Sequence, residues 1–245
     1  TMSKRILFLL AAAVVFTASL AVAQRLDPTS GSLIRAEMVS GWSLGVRLQA
    51  DHRQFVSDAL PDRIDVDLRR LVLRAGVNPL AWAHVYGELG SATADMDTED
   101  GEAGLCWAGG LRLRLVEQVY EASPVYGDLS SIDITVDGQY RSTESNFDRD
   151  FNWQEWMVSP TLGFTMANKQ GNWRLYQPTA LSLRAGIVFL DGDGDYGAAD
   201  IETNRDFGGV VGLDALWRSG WTVNFRALLL SGEERELSVG VARNF

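Results

Sequence analysis

Three aspartates at alternate positions come nearest to a metal-binding motif in this sequence. Asp191, Asp193 and Asp195 lie in the segment DGDGDYGAAD, at the spacing with which an EF-hand calcium loop begins. That loop needs Gly at its sixth position, where this segment has Tyr196. We therefore expect a solvated acidic loop and no cofactor, with adventitious binding of Ca2+ by these aspartates as the alternative.

Two histidines and one cysteine are the other candidates for acid–base or nucleophilic chemistry. His52 falls on the same alternation phase as the apolar residues of its segment, which suits a strand nearing the surface. His84 shares the opposite phase with Tyr86 and is expected in mid-strand, away from a rim. Cys106 cannot form an internal disulfide. Because no Ser-His-Asp set, metal-ligand cluster or P-loop pattern occurs, we expect no catalytic residues.

The elements that carry these residues show a period of two, which is typical of β-strands. In WTVNFRALL, for example, Trp221, Val223 and Phe225 alternate with Thr222 and Asn224. About ten such segments are separated by turn signals, so the sequence predicts an all-β chain. They run near 42–56, 63–76, 80–92, 103–117, 128–142, 153–168, 174–191, 206–218, 221–231 and 235–245.

Three features favour a closed antiparallel up-and-down transmembrane β-barrel over a soluble sandwich. The segments are longer than the five or six residues that are usual in soluble sheets and suit tilted spanning strands of about 9 to 11 residues. Short connections alternate with long polar ones, as at 91–102, 141–152 and 191–206. Aromatic residues fall toward the segment ends, where they would form two interfacial girdles: Trp42, Trp217, Trp221 and Phe245 at one end, and Trp107, Tyr140, Trp156 and Phe207 at the other.

The start of the sequence has the layout of a cleavable secretory signal. Lys4 and Arg5 precede an apolar run, and small residues lead to a cleavage site after Ala23. We therefore expect 1–23 to be a signal peptide, 24–41 an N-terminal linker and 42–245 the barrel. The net charge of −10 argues against nucleic acid as a partner.

The last strand resembles the C-terminal signal strand of Gram-negative outer-membrane barrel proteins. Leu237, Val239 and Val241 supply its apolar face, and Gly240 and the terminal Phe245 match its pattern. Arg243 departs from the pattern, although an arginine at the rim can extend to water. The resemblance is to the small OmpA-type or porin-like barrel class and to no single family. It implies an outer-membrane location, contact with lipid and lipopolysaccharide, and recognition by the barrel-assembly machinery.

If the apolar faces meet lipid, the opposite faces fill the lumen with charges of both signs. Buried charges must pair, so we expect an ion-pair network that fills and stiffens the barrel. The network residues are Arg47, Glu88, Arg112, Arg114, Asp133, Asp137, Glu155, Arg184, Asp214, Arg226 and Glu236. Asp51, Asp65, Asp67 and Arg69 are expected on the same inward face.

Two irregularities leave eight or twelve strands as alternatives to ten. Arg70 falls on the lipid phase after Val66 and Leu68, so a bulge is expected there. Pro160 and Pro178 cannot donate a ladder hydrogen bond.

The function expected from the sequence is structural or surface-interacting, with a charged, largely filled lumen. A narrow porin-like channel for ions or small solutes is the alternative. An outer-membrane hydrolase is a third reading, because omptin proteases and lipid A deacylases are also small barrels, but the histidines are poorly placed for it.

Overall fold

The structure is a computed structural model that describes residues 41–57, 63–80, 82–96, 99–123, 128–146, 150–168, 178–203, 207–217, 219–230 and 234–245. The expected signal peptide and all but the last residue of the expected linker lie outside these ranges. Within the described part of the chain, no helix is long and apolar enough to cross a membrane.

Twelve strands make up the described structure, and ten of them form the barrel wall. Two short strands, β4 and β9, extend hairpins at one end. The strands are β1 Trp42–Val56, β2 Ile64–Leu80, β3 Ala83–Met96, β4 Glu99–Asp100, β5 Gly104–Ser123, β6 Asp128–Asn146, β7 Asp150–Asn168, β8 Ala180–Tyr196, β9 Ala199–Thr203, β10 Phe207–Leu216, β11 Trp221–Leu230 and β12 Arg235–Asn244.

The wall closes on itself through antiparallel pairs only. Neighbouring strands pair in the order β1, β2, β3, β5, β6, β7, β8, β10, β11 and β12, and β12 then pairs with β1 from Ser43↔Asn244 to His52↔Arg235. Closure leaves none of these ten strands with a free edge along its paired length, so the backbone polar groups are satisfied within the wall. The prediction of a closed barrel of ten strands is confirmed.

The two ends of the barrel are built differently. The lower rim carries Gly41, Phe245 and the hydrogen-bonded pair Trp217 and Trp221, whereas the upper rim carries the hairpins β6–β7 and β8–β9. At the upper rim β9 also pairs with β1 through Phe55↔Thr203 and Val56↔Glu202. A ring of eight strands, β1, β2, β3, β5, β6, β7, β8 and β9, therefore closes above the tops of β10, β11 and β12. The barrel narrows toward its upper end.

Alternation along each strand separates an apolar outer face from a mostly polar interior. Side chains such as Leu48, Leu73, Leu162, Leu183 and Val239 point outward and are exposed, and together they form an outer apolar belt. Exposed aromatic residues border the belt. Trp107, Tyr140 and Trp156 lie in a row toward the upper rim, with tilted rings whose centroids are 5.2 Å and 4.6 Å apart. Trp42, Trp221 and Phe245 lie at the lower rim.

The sequence prediction failed where strands continue beyond the apolar belt. Segments 91–96, 141–146, 150–152 and 191–196, which were expected in long loops, are strand. A β-ladder continues as long as its backbone groups pair, whatever the polarity of its side chains. The turn segment expected at 76–79 likewise belongs to β2.

The phase predicted for the first part of β2 is also wrong. Val66 and Leu68 point into the lumen and are buried, and Arg70 is inward as well, whereas Asp67 and Arg69 face outward. The register of β2 with β1 and β3 runs without a break through this segment, so the expected bulge at Arg70 is absent. The apolar residues point inward here because the upper lumen is itself apolar.

Candidate functional site in the barrel lumen

The upper end of the lumen is filled by an apolar group that we call the cap. Phe55, Phe151 and Trp153 lie at its centre, with the ring of Phe55 4.4 Å from that of Trp153 and 6.0 Å from that of Phe151. All three are fully buried inside the eight-stranded ring. The remaining members of the cap are Val66, Leu68, Ala94 and Ile201.

Directly beneath the cap lies a group of six charged residues, the central cluster. It consists of Asp51, Arg53, Arg70, Arg141, Glu155 and Glu236, three cations and three anions, all buried. Trp153 joins the cap to this cluster, because its indole Nε1 donates to Glu155 Oε2 at 3.4 Å.

Arg141 is the hub of the central cluster. Its guanidinium lies 3.0 Å from Glu155 Oε1, 3.2 Å from Glu236 Oε2 and 3.6 Å from Asp51 Oδ2. Arg53 binds Glu236 at 3.3 Å and lies 3.7 Å from Glu155. Arg70 pairs with Asp51. Since ions taken out of water are stable only when they are compensated, the balance of three against three is what allows this group to be dry.

Below the central cluster the lumen holds a second group, the lower chamber, formed by Arg47, Arg74, Arg112, Arg226, Glu88, Asp137 and Tyr86. Arg47 and Arg74 both donate to the same oxygen, Glu88 Oε1, at 2.8 Å. The guanidinium of Arg74 also lies 3.6 Å from the ring centre of Tyr86.

Asp137 is the second carboxylate of the lower chamber, and it is fully engaged. Arg112 donates to its Oδ2 from Nε at 3.0 Å and from Nη2 at 2.8 Å, and the Tyr86 hydroxyl donates to Oδ1 at 2.8 Å. Arg226 instead donates to the Ser159 hydroxyl at 2.9 Å. No carboxylate of the described residues lies within 4.0 Å of the Arg226 guanidinium.

Exposure separates the lower lumen from the central cluster. The side chains of Arg112 and Asp214 are 32% and 31% exposed, whereas those of Arg141 and Asp51 are 4% and 0% exposed. Arg47, Glu88 and Asp137 lie between these two levels, with side chains 10%, 3% and 8% exposed. Water therefore reaches Arg112 and Asp214 from the lower rim, and exposure decreases from there to the central cluster.

The charged residues singled out in the sequence occupy several places in this lumen. Glu155 and Glu236 belong to the central cluster, and Arg47, Glu88, Arg112, Asp137 and Arg226 belong to the lower chamber. Arg184 pairs with Asp214 at 3.7 Å and Arg114 with Glu117 at 2.9 Å, both nearer the lower rim. Asp133 is buried on β6, within electrostatic range of Arg184.

Four arginines of the network were missed by the sequence analysis: Arg53, Arg70, Arg74 and Arg141. Arg141 stands on the same alternation phase as Asp133 and Asp137 and could have been found by extending that phase, but its segment was assigned to a loop. Asp65, Asp67 and Arg69, which were expected inside, face outward above the belt, where Arg69 lies 3.8 Å from Asp95.

The three aspartates of the calcium-like motif lie on strand β8 rather than in a loop. Glu202 stands at the twelfth position counted from Asp191, where an EF-hand loop has its bidentate glutamate. The strand nevertheless separates alternate side chains by about 6.5 to 7 Å along the outer face. Within the described ranges, no group of three or more His, Cys, Asp or Glu side chains is placed to hold a metal ion.

The two histidines lie at opposite ends of the barrel. His52 faces outward above the belt, with Nδ1 2.8 Å from Asp67 Oδ1. His84 faces the lumen near the lower rim, at the second residue of β3, so the expectation of a mid-strand position was wrong. Its Nδ1 lies 2.7 Å from Asn78 Oδ1. Cys106 is a buried free thiol.

The last strand is held on both edges, by β1 and by β11. Leu237, Val239 and Val241 lie in the outer belt, and the backbone N–H of Phe245 donates to the Trp42 carbonyl at 3.0 Å. Arg243, the departure from the signal pattern, has its guanidinium 5.8 Å from the ring centre of Trp221 and 5.2 Å from that of Phe245. This rim position accommodates the charge among aromatic faces.

Comparisons with known proteins find similarity in structure only. No protein-family model and no curated protein matches the sequence. The translocator domain of the autotransporter NalP from Neisseria meningitidis aligns over 96% of this chain and 96% of that chain, with 13% identity and a TM-score of 0.40. The transport unit of the autotransporter AIDA-I from Escherichia coli aligns over 96% and 97%, with 9% identity and a TM-score of 0.43.

The outer membrane protease OmpT from Escherichia coli aligns over 83% of this chain and 96% of that chain, with 7% identity and a TM-score of 0.33. These structural neighbours are outer-membrane β-barrels, but TM-scores below 0.5 mean that their detailed geometry differs. The fold assignment therefore rests on this chain's own closed ladder: it is an all-β, antiparallel barrel of ten strands.

Proposed function

We propose that this chain is an outer-membrane β-barrel with a structural or surface role and a lumen closed to solutes. The observation that carries the proposal is the narrowing of the wall from ten strands to eight around the buried cap. A solute entering from the lower rim would have to displace the central cluster and then the cap. Both are buried, so passage would separate the ion pairs of the central cluster.

The outer surface supports the membrane location. A continuous belt of exposed Leu, Val, Ile and Phe side chains would be unstable in water, and it is bordered above and below by aromatic residues of the kind found at lipid–water interfaces. In the proposed orientation the lower rim, which carries Phe245, faces the periplasm. The upper rim faces outside the cell.

The outward-facing residues above the belt suggest how the barrel meets lipopolysaccharide. The exposed carboxylates above the belt include Asp67, Glu144, Asp150, Asp193, Asp195, Asp200 and Glu202. Within the β8–β9 hairpin Asp193 is directly opposite Glu202, and Asp195 is opposite Asp200. Divalent cations shared with lipid phosphates would relieve this repulsion. The proposed partners are thus outer-membrane lipid and lipopolysaccharide, with no enzymatic activity.

The last strand is proposed to be the segment that the barrel-assembly machinery recognises. Deleting Phe245 removes an aromatic ring and the N–H bonded to Trp42. We expect less folded barrel in the outer membrane of the producing cell and unchanged export to the periplasm. Deleting Phe245 without any loss of folded barrel would contradict this role for the strand.

Conductance measurements test the closed lumen. Refolded protein would be inserted into planar lipid bilayers, with insertion checked by the different SDS-gel mobility of unboiled and boiled samples. We expect no discrete conductance steps above the bare bilayer. Steady, ion-selective steps in samples whose folded fraction is high would overturn the proposal in favour of a narrow channel.

A further inference from the structure

The lower chamber carries more positive than negative charge. It contains four arginines, Arg47, Arg74, Arg112 and Arg226, against two carboxylates, Glu88 and Asp137. Two of the arginines share a single oxygen of Glu88, and Arg226 has a hydroxyl as its partner. Among the described residues the excess persists when the neighbouring Arg184–Asp214 and Arg114–Glu117 pairs and Asp133 are included, which gives six arginines and five carboxylates.

The excess is concentrated at one place. Arg112 donates to Asp137, and Arg74 lies over the ring of Tyr86, whose hydroxyl donates to the same carboxylate. Arg226 donates to Ser159, which stands directly opposite Asp137 in the β6–β7 ladder. Asp137 is thus engaged by Arg112 and Tyr86, and no carboxylate of the described residues lies within 4.0 Å of the Arg226 guanidinium. Guanidinium groups at such close range repel one another unless an anion lies among them.

The chamber can be reached from the lower rim, as the exposure of Arg112 and Asp214 shows, and it is closed above by the central cluster. Among the described residues, its exposed side is therefore the side that faces the lower rim. Arginine forks match the paired oxygens of carboxylate and phosphate groups and bind them through two parallel hydrogen bonds.

We propose that the lower chamber binds a small oxyanion, a phosphate or a di- or tricarboxylate, held chiefly by Arg226 and Arg112. The site is independent of whether the barrel conducts. Only its access from the periplasm rests on the proposed orientation. A barrel that conducts would therefore not contradict the anion site, and a barrel that binds no anion would not contradict the closed lumen.

Titration calorimetry on the refolded barrel in detergent micelles tests the site. Sodium phosphate and sodium succinate would be titrated separately against a background of sodium chloride at matched ionic strength. We expect saturable binding of at least one of the two, and the ratio of their affinities identifies phosphate or carboxylate as the preferred group. If neither anion binds in preference to chloride, the proposal is overturned.

Two variants locate the site by opposite means. Arg226→Gln removes the arginine that lacks a carboxylate, and Ser159→Asp places a carboxylate where that arginine now finds a hydroxyl. Each should weaken binding at least tenfold. Arg69→Gln, which changes an exposed arginine on the outer face, is the matched control and should bind as the parent does. Binding that survives in whichever of the two lumen variants folds would overturn the assignment.

Discussion

The central cluster and the lower chamber are made from the same residue types and behave differently. The central cluster sets three arginines against three carboxylates and is fully buried, whereas the lower chamber sets four arginines against two carboxylates and meets water at its lower edge, where the side chain of Arg112 is 32% exposed. Charge balance and access to solvent therefore go together in this lumen. The lumen can exclude water where its positive and negative side chains balance. Where they do not balance, the uncompensated charges need contact with water or with a bound anion.

The largest expected effect comes from breaking the balance of the central cluster. Arg141→Met keeps much of the side-chain volume but leaves Asp51, Glu155 and Glu236 with two arginines. Removing one partner of a buried ion group costs about 3 to 5 kcal/mol, and we expect a loss of that size in the free energy of unfolding, measured by urea titration in lipid vesicles.

Arg69→Met is the matched control for that measurement. Arg69 is an exposed arginine whose ion pair with Asp95 lies on the outer face, so its loss should change stability by less than about 1 kcal/mol. If Arg141→Met is no more destabilising than Arg69→Met, the central cluster is not dry.

The second largest effect is expected from a charge placed on the outer face of the wall. It tests whether this face meets lipid, and the comparison of the central cluster with the lower chamber depends on that assignment. Val239 lies at the middle of the outward positions of β12. Val239→Arg should lower the free energy of unfolding in lipid vesicles by about 2 to 4 kcal/mol, because the charge enters hydrocarbon. Val239→Ala is the control and should be milder. The reverse order, with the arginine tolerated and the alanine costly, would mean that Val239 packs in a core.

The smallest effect is expected in the lower chamber. Tyr86→Phe removes the hydroxyl that donates to Asp137 Oδ1. Asp137 keeps both of its bonds from Arg112, which is partly exposed to water, so we expect a cost of about 1 kcal/mol in the same unfolding assay. A loss as large as that of Arg141→Met would indicate that the lower chamber is as dry as the central cluster.

The sequence was sufficient to predict the ten-stranded barrel because strands within the belt alternate between apolar and polar residues. Trp221, Val223 and Phe225 face outward in the structure as their spacing predicts. The same rule failed on β2, where Val66 and Leu68 are apolar but inward. A two-residue period shows which side chains share a face of the strand. It does not show which face points into the lumen, because that depends on the residues that fill the lumen at that height.

The cap and the central cluster could not be predicted from the sequence for the same reason. Arg53, Arg70 and Arg141 come from three strands, β1, β2 and β6, that bring them together only after the barrel has closed. The closure of the upper end by β9 involves two residue pairs. The strand Ala199–Thr203 alternates apolar and polar residues but is only five residues long, and it lies within a long polar segment. Pairing between distant segments of this kind leaves no local signal in the sequence.

Thiol accessibility tests most directly whether the upper lumen is sealed and the lower lumen is wet. In a Cys106→Ala background, Ser145→Cys places a thiol in the buried upper lumen and Asn224→Cys places one in the lower lumen. The refolded variants would be treated in lipid vesicles with a charged maleimide too polar to cross the membrane, and urea-unfolded samples would show that both thiols are reactive. We predict that Asn224→Cys reacts when the reagent reaches the lower rim and that Ser145→Cys reacts from neither side. Rapid labelling of Ser145→Cys in the folded barrel would contradict the sealed upper lumen.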